Sequence, residues 1–242
     1  MRKELFVPHP TQSKFSEQPS ALLRNVTEEY KINRSLNQLT PKLVTKYWQE
    51  NLKSYGSKAD LNVVIPQYNG SKEELKTLIL NGLEPVPVPT EVTGPEAVSL
   101  LRSMYREKIR IPYSPVINNT TAGWRHVVIS SMTEQQLKDN FKNSSIQPMD
   151  LPTYIIFAAH MKDTTGHFPD ELKLNNNINT SSRLAGTLID PGLSVNENRD
   201  THIPSVYFTQ SGLLTITPIH PRDKFPDLTN RFQASIKPRK IA

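Results

Sequence analysis

The sequence predicts an α+β fold of low regularity, with a helix-rich N-terminal half and an extended C-terminal part that contains a β-hairpin. In several segments of the first half, apolar residues recur at helical spacing between recognisable cap residues. One or two of these helices follow a short apolar run, which predicts one or two short strand–helix units. The second half has a polar loop, short β-like runs and scattered prolines, which favour extended chain.

The chain begins with a segment that is rich in breakers of helix. Residues 1–16 contain Pro8 and Pro10 and show no helical period, so we expect an extended basic arm. The apolar stretch near the start is three residues long and stops at Pro8, so no signal peptide is expected. Over residues 19–32, apolar residues at helical spacing predict a first amphipathic helix.

The best-marked helix begins at Thr40, which suits an N-cap, and Pro41, which suits the first helical position. Gly56 predicts a left-handed exit at its other end. Along this helix, aromatic and aliphatic side chains form one apolar stripe, which is typical of a buried helix face. The neighbouring lysines leave the stacking of nucleic-acid bases as an alternative. The stripe consists of Val44, Tyr47, Trp48, Leu52 and Tyr55.

A strand–helix unit is predicted next. Leu61–Ile65 has the composition of a short buried strand, and Ser71 with Glu74 forms a capping box for a helix that ends near Gly82. Residues 83–95 carry prolines at alternate positions, which forbid a helix and are incompatible with a central strand. We therefore expect a stiff connector or an edge segment there, with a ligand for an aromatic groove as the alternative.

Thr93 and Pro95 predict the start of a further helix, whose face carries Val98 and Leu101. Cationic side chains lie at the end of this helix, and they either complement the helix dipole or contact phosphate. The cations are Arg102, Arg106, Lys108 and Arg110. A second unit follows, with a strand over 124–129 and a helix capped by Thr133 and Gln136.

The segment from Asp150 to Lys162 fits either a helix or, over its apolar middle, a buried strand. Its length of thirteen residues favours the helix. Beyond it, residues 175–182 form a polar loop, and β-like runs are centred on 184–189, 206–209 and 213–217. The tripeptide 210–212 ends in glycine and predicts a hairpin loop between the last two runs.

These elements predict three regions of the chain. Residues 1–16 form the extended basic arm, and residues 17–162 form a mixed helical core with the proline-rich connector at 83–95. Residues 163–242 form an irregular, extended region with a β-hairpin and a basic C-terminal tail.

The composition excludes several classes of function. The chain has no Cys, so disulfide scaffolds, Cys-based zinc fingers and catalytic thiols are excluded. No apolar run approaches the length of about 18 residues that spans a membrane. The 9 Gly are scattered and form none of the glycine-rich loops that hold nucleotide phosphates. No catalytic residue and no cofactor is therefore predicted.

Two of the six histidines, His160 and His167, lie near carboxylates in sequence, as the ligands of a metal site do. Their spacing of seven does not place them on one helix face at i, i+4, so no metal site is predicted. We expect His160 to be a cation at a helix end and His167 to lie in a loop. An enzyme whose site is assembled around His126, His160 and His167 stays open as an alternative.

The positive charge belongs to the two ends of the sequence. The formal net charge of +6 divides into +4 over residues 1–60, −2 over 61–219 and +4 over 220–242. Basic ends on a near-neutral middle suggest contact with phosphate or with acidic partners. The candidate contacts to RNA phosphate are Arg2, Lys3, Arg24, Arg34, Lys42, Lys46, Lys53, Arg102, Arg106, Arg110, Lys237, Arg239 and Lys240.

Together these features predict a non-enzymatic structural or assembly subunit of a larger, RNA-containing complex such as a ribosome-like particle or another ribonucleoprotein. Its expected partners are other protein subunits and RNA, and its expected location is intracellular, either cytoplasmic or organellar. Two non-enzymatic alternatives are a viral nucleocapsid or coat protein and a protein–protein adaptor that binds no nucleic acid.

Overall fold

A computed structural model describes residues 39–80, 83–93, 95–106, 108–111, 116–117, 121–128, 135, 145–169, 181–187, 189–190, 202–209, 212–223 and 228–235. Its α-helices are α1 (Pro41–Lys58), α2 (Lys72–Leu80), α3 (Pro95–Tyr105) and α4 (Leu151–Thr165). Its strands are β1 (Leu83–Val88), β2 (Ile109–Arg110), β3 (Val116–Ile117), β4 (Gly123–Val128), β5 (Ser145–Pro148), β6 (Ser181–Arg183), β7 (Ile189–Asp190), β8 (Ile203–Phe208), β9 (Leu214–Ile219), β10 (Leu228–Asn230) and β11 (Phe232–Ser235).

This arrangement confirms a mixed α+β fold of low regularity with most of its helix in the first half. Five parts of the sequence interpretation lie wholly or largely outside the described residues. They are the arm over 1–16, the helix over 19–32, most of the helix expected after β4, most of the polar loop over 175–182 and the basic C-terminal tail. The three-region division stays a prediction.

Helix α1 begins as the sequence predicts but ends later. The Thr40 side chain accepts a hydrogen bond from the Leu43 backbone N–H at 3.2 Å, and Pro41 occupies the first turn. The predicted left-handed exit at Gly56 is wrong, because the helix continues to Lys58. A Cβ at Gly56 would lie 2.6 Å from the Leu61 carbonyl oxygen, so glycine is needed for this close approach rather than for a turn.

The aromatic stripe of α1 is a buried helix face, and its interpretation as a base-stacking surface is wrong. Tyr47, Trp48 and Tyr55 are at most 1% exposed. They pack in the main hydrophobic core, which also receives Leu101 from α3 and Ile155 from α4. Burial of such large side chains stabilises the fold far more than exposed stacking positions would.

The capping box of α2 is confirmed in both directions. The Ser71 backbone N–H donates to the Glu74 carboxylate at 2.7 Å, and the Glu74 backbone N–H donates to the Ser71 hydroxyl oxygen at 3.1 Å. The strand predicted before it, over Leu61–Ile65, is wrong. That segment is bonded by a side chain instead: the Gln49 amide accepts from the Ile65 N–H at 3.2 Å and donates to the Val63 carbonyl at 3.3 Å.

Helix α4 is confirmed where the sequence allowed either helix or strand. Asp150 caps its start and Gly166, at a φ of 77°, ends it. Every residue from Leu151 to Met161 is buried. A helix that is buried on all sides shows no polar face, which explains why its period was weak in the sequence.

The strands form three sheets in the described part of the chain. A four-stranded antiparallel sheet has the order β1-β4-β11-β5, and a five-stranded mixed sheet has the order β10-β6-β8-β9-β2. The strands β3 and β7 pair separately. Helix α4 packs against both α3 and β1, so the first sheet lies against the helices.

The proline-rich segment contains the edge strand β1. Pro85 and Pro87 lie opposite His126 and Trp124 of β4. Because proline has no N–H, its placement at alternate positions leaves the intervening residues to bond β4 and presents prolines to the open edge. This edge is thereby poorly suited to pairing with another strand.

The hairpin of the C-terminal part is confirmed. Strands β8 and β9 pair antiparallel from Ile203 opposite Ile219 to Phe208 opposite Leu214, and Gly212 in the loop has a φ of 82°. The β-like run predicted over 184–189 is wrong over 184–187, which form a turn between β6 and β7; Ile189 does lie in a strand, and residue 188 lies outside the described residues. Gly186 there approaches the Pro148 carbonyl so closely that a Cβ would lie 2.6 Å from it.

Residues from both halves share one hydrophobic core, since Val206 and Ile216 join the helical residues. None of the helices in the described ranges is both long and apolar enough to cross a bilayer.

Candidate phosphate-binding groove

An open groove of about 860 Å³ lies where the end of α1 meets the end of α3 and the strand β2. Its walls carry four cationic side chains, one carboxylate and three serine hydroxyls. The lining residues that the argument uses are Ser57, Lys58, Asp60, Ser99, Arg102, Ser103, Arg106 and Arg110. Three of these, Arg102, Arg106 and Arg110, are among the phosphate contacts predicted from the sequence.

Helix α3 supplies one wall through a single face. Arg102 and Ser103 lie three and four residues after Ser99, which places the three on the same side of the helix, and Arg106 follows just after the helix ends. The opposite face buries Val98 and Leu101 in the core. The same amphipathic pattern that attaches α3 to the core therefore directs its polar side to the groove.

The end of α1 supplies the opposite wall. The backbone N–H groups of Ala59 and Leu61 both donate to the Gly56 carbonyl, at 2.9 and 2.8 Å, and close the helix end. Asp60 adopts a left-handed φ of 56°, a conformation that Asp tolerates better than most residues. This turn places Lys58 and Asp60 at the groove.

Strand β2 holds the third wall. Arg110 lies opposite Thr215 of β9 in a parallel pairing, and the Leu214 N–H donates to the Lys108 carbonyl at 2.9 Å. Arg102 braces this segment, because its guanidinium donates to the Ile111 carbonyl at 3.0 Å. Lys58, Arg102 and Arg110 therefore lie in hydrogen-bonded elements, and Arg106 lies in the turn between α3 and β2.

The groove has more positive charge than its own structure needs. Each of the two helix C-termini carries about half a negative charge, which the cations of the last turns complement. Setting these ends and Asp60 against Lys58, Arg106 and Arg110 leaves an excess of about one positive charge. Within the described ranges, no carboxylate forms an ion pair with Lys58, Arg106 or Arg110. The surplus favours an anionic ligand.

The other predicted phosphate contacts are distributed differently. Lys42 and Lys46 line a second cleft of about 810 Å³ near the start of α1, where Lys46 pairs with Glu50 at 3.9 Å. Lys53 is exposed on α1 and lines neither of these grooves. Seven further candidates lie outside the described residues: Arg2, Lys3, Arg24, Arg34, Lys237, Arg239 and Lys240.

Sequence reasoning missed several lining residues of the groove. Lys58 was missed because the helix was expected to end at Gly56. The serines of α3 could have been found, since Ser99 and Ser103 share the helical spacing of Arg102 and Arg106. No local pattern indicates that the end of α1 lies beside β2.

The three suspect histidines occupy three different environments. His126 and His160 are both fully buried, and burial lowers the pKa of each to about 3. The Tyr68 hydroxyl lies 2.9 Å from His126 Nε2, while His160 packs 4.4 Å from the Trp48 ring, between ring centroids. The expectation that His160 is a helix-end cation is therefore wrong. His167 is exposed just beyond α4, as expected of a loop residue.

A buried polar cluster surrounds Asp150 at the start of α4. Its carboxylate accepts hydrogen bonds from the Thr153 N–H and the Gln233 side-chain amide, both at 2.8 Å, and lies 3.9 Å from Arg125 Nε. These groups join α4 to β4 and β11. Within the described ranges, no group of three or more acidic or histidine side chains is placed to hold a metal ion.

Comparisons of this chain with protein-family profiles, with curated proteins and with solved structures find no match.

Proposed function

We propose that this protein is a non-enzymatic structural or assembly subunit of an RNA-containing complex, and that it contacts RNA phosphates through the groove and its basic ends. The single observation that carries the proposal is the convergence of Lys58, Arg102, Arg106 and Arg110 on one open groove. These cations come from two parts of the chain that are distant in sequence, namely the end of α1 and the segment from α3 to β2.

The chemistry of the groove supports binding rather than catalysis. Arginine and lysine side chains neutralise phosphates and release counterions, which is the main source of sequence-independent affinity for nucleic acid. Among the residues that the structure describes, no histidine lines the groove, and the one carboxylate there, Asp60, is exposed. The buried His126 and His160 are neutral near pH 7, because burial lowers the pKa of both.

The test is a salt titration of RNA binding by the full chain, using a structured RNA with both paired and unpaired segments. The groove variant K58Q/R106Q/R110Q removes three exposed cations and spares Arg102, which braces Ile111. We expect the slope of log K against log salt to fall by about two to three, roughly one per lost contact.

The matched control is K72Q/K108Q/R222Q, which removes the same charge from exposed residues that do not line the groove. Its slope should stay close to that of the wild type. Equal slopes for the groove variant and the wild type would refute the groove as the contact. An affinity that does not change with salt would favour the adaptor without nucleic acid instead.

A further inference from the structure

We infer that the groove binds the sugar–phosphate backbone of paired RNA and reads no bases, an inference that rests on the proposed function. Three properties of the groove carry it: among the described residues no aromatic side chain lines it, its cations lie on or beside hydrogen-bonded elements, and it holds acceptors for ribose hydroxyls.

The first property is that, in the part of the chain the structure describes, no aromatic side chain lines the groove. Proteins that hold single strands combine cations with aromatic rings on which the bases stack. The aromatic residues nearby are engaged elsewhere: Tyr55 is buried, and the Tyr105 hydroxyl donates to the Ala159 carbonyl at 3.1 Å while its ring packs on Phe168. Unpaired bases would therefore meet no stacking partner among the described residues of this groove.

The second property is that the cations lie on or beside hydrogen-bonded elements. Arg102 lies in the last turn of α3, and Arg106 follows directly after that helix ends at Tyr105; both line the groove. Arg110 is held by the pairing of β2 with β9. Such an array suits a backbone that is itself regular, and the backbone of a duplex is more regular than that of a flexible single strand.

The third property is a set of hydrogen-bond acceptors among the cations. The Ser57 and Ser103 hydroxyls each donate to a carbonyl of their own helix, at 2.8 Å, which directs their hydrogens away and leaves their oxygens as acceptors. Asp60 adds a carboxylate, which repels phosphate but accepts well from a hydroxyl. The wide minor groove of duplex RNA displays the 2′-hydroxyls that these acceptors fit, and DNA has none.

The test compares three ligands of equal length with the full chain at one salt concentration: a duplex RNA, one of its strands alone, and the duplex DNA of the same sequence. We expect the RNA duplex to bind at least about tenfold more tightly than the single strand, a ratio equivalent to the stacking of one base. The groove variant K58Q/R106Q/R110Q should weaken binding to both duplexes.

Asp60→Gly tests the ribose contact. Glycine adopts the left-handed φ of 56° without strain, so the turn is kept while the carboxylate is lost. We expect the preference for RNA over DNA duplex to fall by about tenfold, the size of one hydrogen bond to a charged group. Asp60→Asn keeps an acceptor oxygen and tolerates the same φ, so it should retain part of the preference.

The possible failures differ from one another. Tighter binding of the single strand, with the groove variant still weakened, would overturn the paired-RNA inference and leave the proposed function standing. An unchanged RNA-to-DNA ratio in Asp60→Gly would overturn the ribose contact. If the groove variant bound each of the three ligands as tightly as the wild type does, the groove would be refuted as the RNA contact and the inference with it. If the full chain bound no RNA at all, the proposed function would be overturned as well.

Discussion

His160 shows how a residue's chemistry depends on where its element lies. Its ring is fully buried in α4, with Nε2 3.4 Å from the Tyr47 hydroxyl oxygen. Burial disfavours the charged form, so the pKa falls from 6.5 to about 3. His126 on β4 is equally buried and has a similarly lowered pKa. Near pH 7 both residues are neutral and serve packing.

The two buried histidines predict that the protein loses stability in acid. Above pH 6.5 neither the folded nor the unfolded chain protonates them. As pH falls from 6.5 towards 3, the unfolded chain binds protons that the folded chain rejects, so the free energy of unfolding decreases. The expected loss is up to about 1.4 kcal/mol per pH unit for each histidine. Urea unfolding at several pH values measures it.

His160→Gln removes one of the two titrating groups. The free energy of unfolding should then fall less steeply with decreasing pH, by up to about 1.4 kcal/mol per pH unit. Met161→Leu, at the next buried position of α4, is the matched control. It perturbs packing by a volume-conserving change and removes no titrating group, so the wild-type slope should remain. A slope that is the same in His160→Gln and the wild type would contradict the burial argument.

At the scale of elements, α1 and α4 begin with the same local device but depend on it differently. Thr40 caps α1 through one hydrogen bond to the Leu43 N–H. Asp150 caps α4 and also bonds Gln233 and lies beside the buried Arg125. The first cap serves its own helix, whereas the second also joins a helix to two strands.

We therefore expect Thr40→Ala to lower the free energy of unfolding by about 1 kcal/mol, the usual cost of a lost cap. Asp150→Ala should cost about 3 kcal/mol or more, because it also leaves the Arg125 charge buried without its carboxylate. Asp150→Asn keeps a capping oxygen and should fall between them. Chemical denaturation gives all three values, and similar costs for Thr40→Ala and Asp150→Ala would show that the tertiary contacts of Asp150 add little.

At the scale of the whole molecule, the net charge of +6 is less informative than its placement. The groove gathers cations from positions 58, 102, 106 and 110, of which all but Lys58 fall in the near-neutral middle of the sequence. The basic tail with Lys237, Arg239 and Lys240 lies outside the described residues. The proposed function assigns RNA contacts to both.

If groove and tail bind the same RNA together, their effects on the salt dependence should add. We expect K237Q/R239Q/K240Q to lower the salt slope by about two to three, and its combination with K58Q/R106Q/R110Q to lower it by the sum. The variant K72Q/K108Q/R222Q again controls for charge alone. A wild-type slope in the tail variant would restrict the RNA contact to the groove.

Local sequence signals were sufficient for the helices and the hairpin. The caps at Thr40 and Ser71 and the turn glycine Gly212 each act within a few residues, so they can be predicted from the local sequence. The apolar stripe of α1 likewise follows from helical spacing alone. The strand predicted over Leu61–Ile65 was wrong because a strand requires a neighbouring strand. The backbone of this segment instead forms hydrogen bonds with the Gln49 side chain.

The groove depends on contacts between distant parts of the chain. From the sequence one can predict that Arg102 and Arg106 are four residues apart and that the apolar face of α3 is buried. One cannot predict that Lys58 lies near Arg110. That proximity arises because Gly56 lets the chain turn closely past α1 and because β2 pairs with β9. Charge and helical period are local properties, whereas the meeting of two chain segments depends on how the core packs.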